Sequence, residues 1–361
     1  MNAMNVVITG VSGVTSIGFS AAAISAALRG PISGFREAEE YTDSEGNPIL
    51  IAEIPIVSDI SDDEEREPRL RSIARFCLQQ LVTDAFPLGA ADKWPVYLLI
   101  GVATVDRPGP RYEGIANELQ FHLSEVLRDR FGKWAIRFLE SGNPSGIEAL
   151  QHARRFLALH PDAVCIVGGI DSLLDVETLD YLEDDARLKS ATYGRHQGLI
   201  PGEGVGFLVV ESAEFARRRN RRALAEVLGV AVAREPAPVR SPDPSTFTGL
   251  SEACRAALVD SGSPPESIGT IIGDLNGEFF RAKEWAHTEL RCLGSGERSL
   301  WHPADCFGDV GAASGALLVS LGATLLAACS TDLRTLCFCS DDEEARGAVV
   351  LGRPPTVAAD A

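Results

Sequence analysis

Two short stretches, Gly204-Val-Gly-Phe-Leu-Val-Val-Glu211 and Arg346-Gly-Ala-Val-Val-Leu351, close two passages of the chain that follow the same plan. In the first passage, apolar runs at 5–10, 96–102, 135–139, 163–168 and 204–211 read as strands, and the pattern over 70–84 reads as a helix. The second passage has strands at 225–232 and 269–273, helices at 251–260 and 315–328, and closing strands at 335–339 and 346–351. This repetition predicts one internal duplication of an α/β unit with a largely buried sheet. Residues 1–216 are assigned to the first half, 217–354 to the second, and 355–361 to a disordered tail.

With 361 residues and 45% hydrophobic content, the chain can build one large core or two fused halves without disulfide support. Its net charge of −18, from 51 acidic against 33 basic residues, repels phosphate backbones and anionic lipid, which argues against nucleic-acid and membrane partners. The first eleven residues lack the basic-then-apolar pattern of a signal peptide, and the apolar runs elsewhere read as too short or too interrupted by glycine to span a bilayer. A cytoplasmic protein is the expectation. The cysteines at 77, 165, 254, 292, 306, 329, 337 and 339 lack paired metal-ligand spacing, and most read as reduced core thiols. Cys337 and Cys339 alternate with Leu336 and Phe338, which puts both sulfurs on one strand face.

Three polar segments read as surface. The run from Arg217 to Arg222 is the solvated end of a helix bracketed by Phe215 and Leu224. The acidic stretch 58–67 is an exposed loop or helix start, and the proline-rich stretch 235–248 is a surface connection.

The corner Cys306-Phe-Gly-Asp309-Val-Gly-Ala-Ala-Ser-Gly-Ala316 feeds the apolar helix at 315–328. It resembles the second histidine motif of the β-ketoacyl synthases, in the thiolase-like superfamily, whose pattern is Gly-His-x-x-Gly-Ala-Ala-Gly-Ala. Asp309 stands where that histidine belongs. The resemblance covers nearly the whole chain: 6–18 is similar to the family's opening strand and Gly-rich turn, and 198–211 to its Gly-Glu-Gly strand. It implies an α/β thiolase-like fold of two pseudo-repeats, each a five-stranded mixed sheet, stacked as α-β-α-β-α layers. A homodimer is implied by the same analogy, with the strand at 134–139 pairing across the two-fold.

In that family a cysteine stands at the start of a buried helix, where free N–H groups and the helix dipole favour the thiolate. The matching segment Glu140-Ser-Gly-Asn143-Pro144-Ser145-Gly-Ile147 places Asn143 at the nucleophile position, or Pro144 if the register slips by one. Neither can carry an acyl group. Read without the resemblance, Asn143 is an N-cap and Pro144 a first-turn proline, with Ile147, Leu150 and Leu157 on the buried face. Ser141 and Ser145 have no identifiable base. The family's first histidine motif resembles Gly273-Asp274-Leu-Asn276-Gly277-Glu278-Phe-Phe-Arg281, with Asp274 in the histidine position and Lys283 and Glu284 beyond. Two carboxylates in place of two imidazoles would repel an enolate unless protonated. Ser340-Asp-Asp-Glu-Glu344 replaces the family's phenylalanine-gated loop and reads as a negative lip, ill-suited to the phosphates of phosphopantetheine or CoA.

The leading expectation is a catalytically inactive ketoacyl-synthase homologue that acts as a binding or accessory protein, extended by resemblance to adaptors of bacterial type VI secretion. One alternative is an acyltransferase with a relocated nucleophile, Cys306, and His302 as its base. Another is a sensor that holds an acyl ligand without turnover. Asp274, Glu278 and Asp309 could converge on a cation, but their spacing is no recognised metal signature. His196 reads as a solvated loop histidine near the entrance. No cofactor and no metal are assigned.

Overall fold

The structure, a computed structural model, describes residues 4–30, 32–55, 66–86, 94–109, 112–190, 197–329, 332 and 334–354. The tail 355–361, most of the acidic stretch 58–67 and His196 lie outside them. The first half runs β1 (Val6–Thr15), α1 (Ala21–Arg29), β2 (Arg36–Thr42), β3 (Pro48–Ile51), α2 (Arg66–Ala85), β4 (Val96–Gly101), α3 (Tyr112–Arg128), β5 (Trp134–Leu139), α4 (Ser145–Leu159), β6 (Val164–Ser172), α5 (Val176–Asp184), β7 (Glu203–Ser212) and α6 (Ala213–Arg218). The second runs β8 (Ala225–Arg234), α7 (Gly249–Ser261), β9 (Ile268–Gly273), α8 (Phe279–Cys292), β10 (Ser299–Trp301), α9 (Ala304–Phe307), α10 (Ser314–Ala328), β11 (Arg334–Ser340) and β12 (Ala345–Gly352).

The described strands form a ten-stranded sheet in the order β10-β9-β11-β12-β8-β1-β7-β6-β4-β5, and β2 and β3 form a separate pair. Read outward from the centre, β1-β7-β6-β4-β5 and β8-β12-β11-β9-β10 are the same pattern. In each, the first two ladders are antiparallel and the outer two parallel. The expected duplication is therefore written into the hydrogen bonding.

Alternation along the strands sorts the apolar side chains into layers. Cys165, Val167, Leu208 and Val210 face the same central cluster as Cys337, Cys339, Val349 and Leu351 of the other half. Their strand neighbours Ile166, Phe207 and Val209 turn outward under α2 and α3, while Leu336, Phe338, Ala348 and Val350 turn outward under α7 and α8. The central layer is α4 and α10, which touch strands of both halves. Five layers result, and both sulfurs of Cys337 and Cys339 do share the inner face.

Some expectations change. Gly10 and Gly13 lie inside β1, which continues to Thr15, rather than in a turn. The register of β1 against β7 shifts between Ile8 and Gly10, so Ile8 points to the central cluster and Val14 to the outer one. The arginine run is not wholly solvated: Arg219 is buried, paired with Glu211 at 2.6 Å and stacked over Phe86 and Trp94. Glu235 is also buried, accepting from Gly249 N at 2.7 Å, so the proline-rich connection begins inside the protein. By length and composition, Gly311–Ala328 is long and apolar enough to cross a membrane. It is mostly buried, and α10 within it serves as the core helix between the two sheet halves.

Candidate functional site

The amino ends of α4 and α10 meet with almost no space between them. A Cβ on Gly146 would lie 2.4 Å from the backbone nitrogen of Ala316, so only glycine permits this crossing. Gly315 N donates to the Asn143 carbonyl at 3.1 Å and locks the two starts together. Gly142, at φ +61°, turns the chain from β5 into this corner.

Three sequence-predicted positions converge here. The Asn143 amide nitrogen lies 3.4 Å from Asp274 Oδ2 and 3.4 Å from Asp309 Oδ1. The N-cap reading of Asn143 is overturned: Pro144 occupies the cap position without a side-chain cap bond, and the Asn143 side chain reaches away across the cleft. Its backbone N–H donates to Asp341 Oδ2 at 3.1 Å, so an internal carboxylate takes the amide that a bound oxyanion would need. Ile147, Leu150 and Leu157 are fully buried as expected.

The surrounding groups form a continuous polar network. Asp274 Oδ2 also accepts from Ser340 N at 2.8 Å and from Arg281 at 3.2 Å. Asp309 accepts from Asn276 Nδ2 at 2.8 Å and from Gly311 N at 2.9 Å. Arg187 holds Glu278 and Asp342 with two bonds each, at 2.7 to 2.9 Å. Arg107 holds Asp171 in the same two-bond manner, and Asp171 also accepts from Ala312 N at 2.7 Å. Amide and guanidinium donors thus face Asp274, Glu278 and Asp309, the three carboxylates weighed above as a joint cation site. Among the described residues no group of His, Cys, Asp and Glu has metal-holding geometry.

The loop expected to form a negative lip does something else. Asp341 is buried, and Asp342, a quarter exposed, is neutralised by Arg187 and Arg281. Burial pushes Asp274 up to about 7, with Asp309 and Glu284 adding to the effect and Arg281 opposing it. Burial likewise pushes Asp341 up to about 6, helped by its neighbour Asp342. For Asp342 burial acts upward too, but Arg187 and Arg281 outweigh it and hold the carboxyl well below its usual range. One hollow among the described residues, lined by Arg107, Tyr181, Arg281, Asp309 and Asp342, measures about 30 Å³, room for water but far below the hundreds of Å³ a small-molecule pocket needs. Two larger hollows, about 370 and 390 Å³, lie at the end of α10 and beside α7, away from these residues.

The alternative nucleophiles are not assembled. His302 Nδ1 sits 2.7 Å from Asp305 Oδ2, which raises the imidazole pKa, rather than on Cys306. Burial and the Asp305 charge raise the Cys306 thiol, the opposite of an activated cysteine. Ser145 is fully buried, with Oγ 3.4 Å from the Ala312 carbonyl, and Ser141 Oγ donates to Glu148. Sequence reasoning missed Arg107, Asp171, Arg187 and the inward role of Asp341 and Asp342, because no local pattern marks them.

The two mirrored sheet halves with paired central helices define the thiolase-like fold of ketosynthases. The chain matches the solved ishigamide ketosynthase/chain length factor with a TM-score of 0.78 and 18% identity, over 98% of this chain and 100% of that one. It matches a β-ketoacyl synthase from Burkholderia phymatum STM815 with a TM-score of 0.77 and 17% identity, over 97% and 100%. Its sequence relatives are β-ketoacyl synthases. It is 35% identical over 139 residues to the actinorhodin polyketide beta-ketoacyl synthase 2 of Streptomyces coelicolor, 36% of this chain and 33% of that protein. It is 28% identical over 138 residues to 3-oxoacyl-(acyl-carrier-protein) synthase 2 of Coxiella burnetii, 35% and 33%. The matched stretches span about a third of these relatives' length. No family model matches the chain.

Proposed function

We propose that this ketosynthase homologue is catalytically inactive and works as a binding or accessory protein. One observation carries the reading: the nucleophile position is an asparagine whose amide bridges Asp274 and Asp309, beside a hollow of about 30 Å³. An acyl-enzyme needs a nucleophile, a hole for its oxyanion and space for its chain. Here an amide side chain stands in the first place, and the Asp341 carboxylate takes the Asn143 N–H that the second would use.

The accessory role takes the form of a dimer, either of two copies or with an active ketosynthase, a pairing suggested by the ishigamide ketosynthase/chain length factor. The place of β5 at the end of the described sheet supports it, since an edge strand is a ready site for β-pairing across a two-fold. A cytoplasmic location and a link to type VI secretion belong to the same proposal; neighbouring secretion genes would favour the latter, and neighbouring acyl-carrier and reductase genes would favour polyketide or fatty-acid assembly.

Intact-mass analysis after incubation with a panel of acyl-thioesters tests inactivity. No adduct is expected on the wild type, and an adduct lost in Cys306→Ser would replace this reading with the displaced Cys306–His302 pair. Light scattering should give twice the chain mass, or a one-to-one complex when a ketosynthase partner is added. A chain that stays monomeric in both cases removes the accessory-dimer form.

A further inference from the structure

A second polar cluster lies behind the cleft, where α8 covers β11 and β12. Ser340 and Arg346 are directly opposed across these strands, so their side chains share a face. Arg346 Nε donates to Glu284 Oε1 of α8 at 2.6 Å, and Ser340 N donates to Asp274 Oδ2 at 2.8 Å. All four residues are more than nine-tenths buried. Each retains one buried polar atom with no partner among the described residues: Asp274 Oδ1, Glu284 Oε2, Ser340 Oγ and Arg346 Nη2.

An unsatisfied buried donor or acceptor costs about 1–3 kcal/mol, so four in residues bonded to one another point to a shared partner. The chemistry of the four selects it. Arg346 Nη2 can only donate, which excludes a metal ion or an ammonium. Two carboxyl groups among the four argue against an anion. Ser340 Oγ can donate or accept. The complement is small, neutral, and able both to accept and to donate twice.

We propose that Asp274, Glu284, Ser340 and Arg346 enclose a structural water site. The water accepts from Arg346 Nη2 and donates to Glu284 Oε2; Asp274 Oδ1 accepts from it when ionised and donates to it when protonated, and Ser340 Oγ, donor or acceptor, takes the remaining place of the four a buried water can fill. It adds a second link between Asp274 and α8, beside the Arg281 bond. Arg346 Nη1 also holds the carbonyls of Asp341, Glu343 and Ala345 at 2.7 to 2.8 Å. The loop that fills the cleft is thus fastened to the same water.

A high-resolution crystal structure of the full chain tests this directly. One ordered peak within hydrogen-bond distance of at least three of the four atoms is expected. The idea is overturned if no density separates them and the side chains instead close on one another, Glu284 forming a two-bond pair with Arg346 and Ser340 Oγ donating to Asp274 Oδ1. Denaturant unfolding of two variants provides an independent measure. Ser340→Ala leaves the water three partners and raises the unfolding constant about tenfold. Ser340→Val fills the space and expels the water, raising it about a hundredfold or more; valine failing to fold while alanine folds is the same ordering. Equal effects of the two variants would mean that Ser340 bonds a side chain directly, and the water site would be abandoned.

Discussion

Between the two halves of this protein, the stretch lined by Leu150, Leu157, Leu321 and Leu326 and the stretch lined by Asn143, Asp274 and Asp309 are both buried, yet they are built on opposite principles. The first is non-directional: aliphatic side chains of α4 and α10 fill the layer between the sheet halves, and volume decides what is tolerated. The second is directional, with carboxylates matched to guanidinium, amide or backbone donors. In such a network, removing one member strands another. The polar end thus becomes the most substitution-sensitive part of the interface.

The largest effect that could break this contrast is at Arg187. Arg187→Ala leaves Glu278 and Asp342 without their two-bond partner, and a loss of about 3–5 kcal/mol is expected in denaturant unfolding. A loss no greater than that of an exposed pair would mean the polar end is not a unit. Next is pH. Folded Asp274 binds its proton up to about 7, against 3.8 for an unperturbed aspartate, and folded Asp341 up to about 6. Their contribution is full below the unfolded value and is lost as pH rises through 6 and 7. Stability should therefore fall between pH 4 and 7 by on the order of 2 kcal/mol or more, and less steeply in Asp274→Asn. Asp342, held low by its arginines, acts in the opposite sense and only in more acid solution. A melting temperature that is flat or rising across pH 4 to 7 would contradict this account.

A smaller effect probes the apolar rule where the helices cross. Gly146→Ala adds a methyl group against the Ala316 backbone and should cost about 1–3 kcal/mol by thermal unfolding, with the polar network intact. The smallest effect calibrates the set. Arg234 and Glu344 form a pair 83% and 53% exposed, and Arg234→Ala should change stability by no more than about 0.5 kcal/mol.

The layers were legible in the sequence because alternation is local: Cys337 and Cys339 declare their face within a few residues. Convergence of Asn143, Asp274 and Asp309 was legible through the motifs around them. What filled the cleft was not. Arg187 meets Glu278 across 91 residues and Asp342 across 155, and nothing near any of the three marks them as partners. The same blindness made Asp341 and Asp342 look like a solvated lip and made Arg219 look like a surface arginine, whereas Glu211 and three aromatic rings receive it indoors. Asn143 was misread for the opposite reason: Asn-Pro before a helix is a strong local cap signal, and a distant pair of carboxylates outcompeted it.

The large sheet is continuous, but its middle is its thinnest join. β1 meets β8 at Val7 opposite Glu226 and Ile8 opposite Ala225, whereas the ladders on either side run nearly the whole length of their strands. Under a mechanical load that draws the halves apart, that short rung is the fracture line. Each half would come away with its own five strands still laced together.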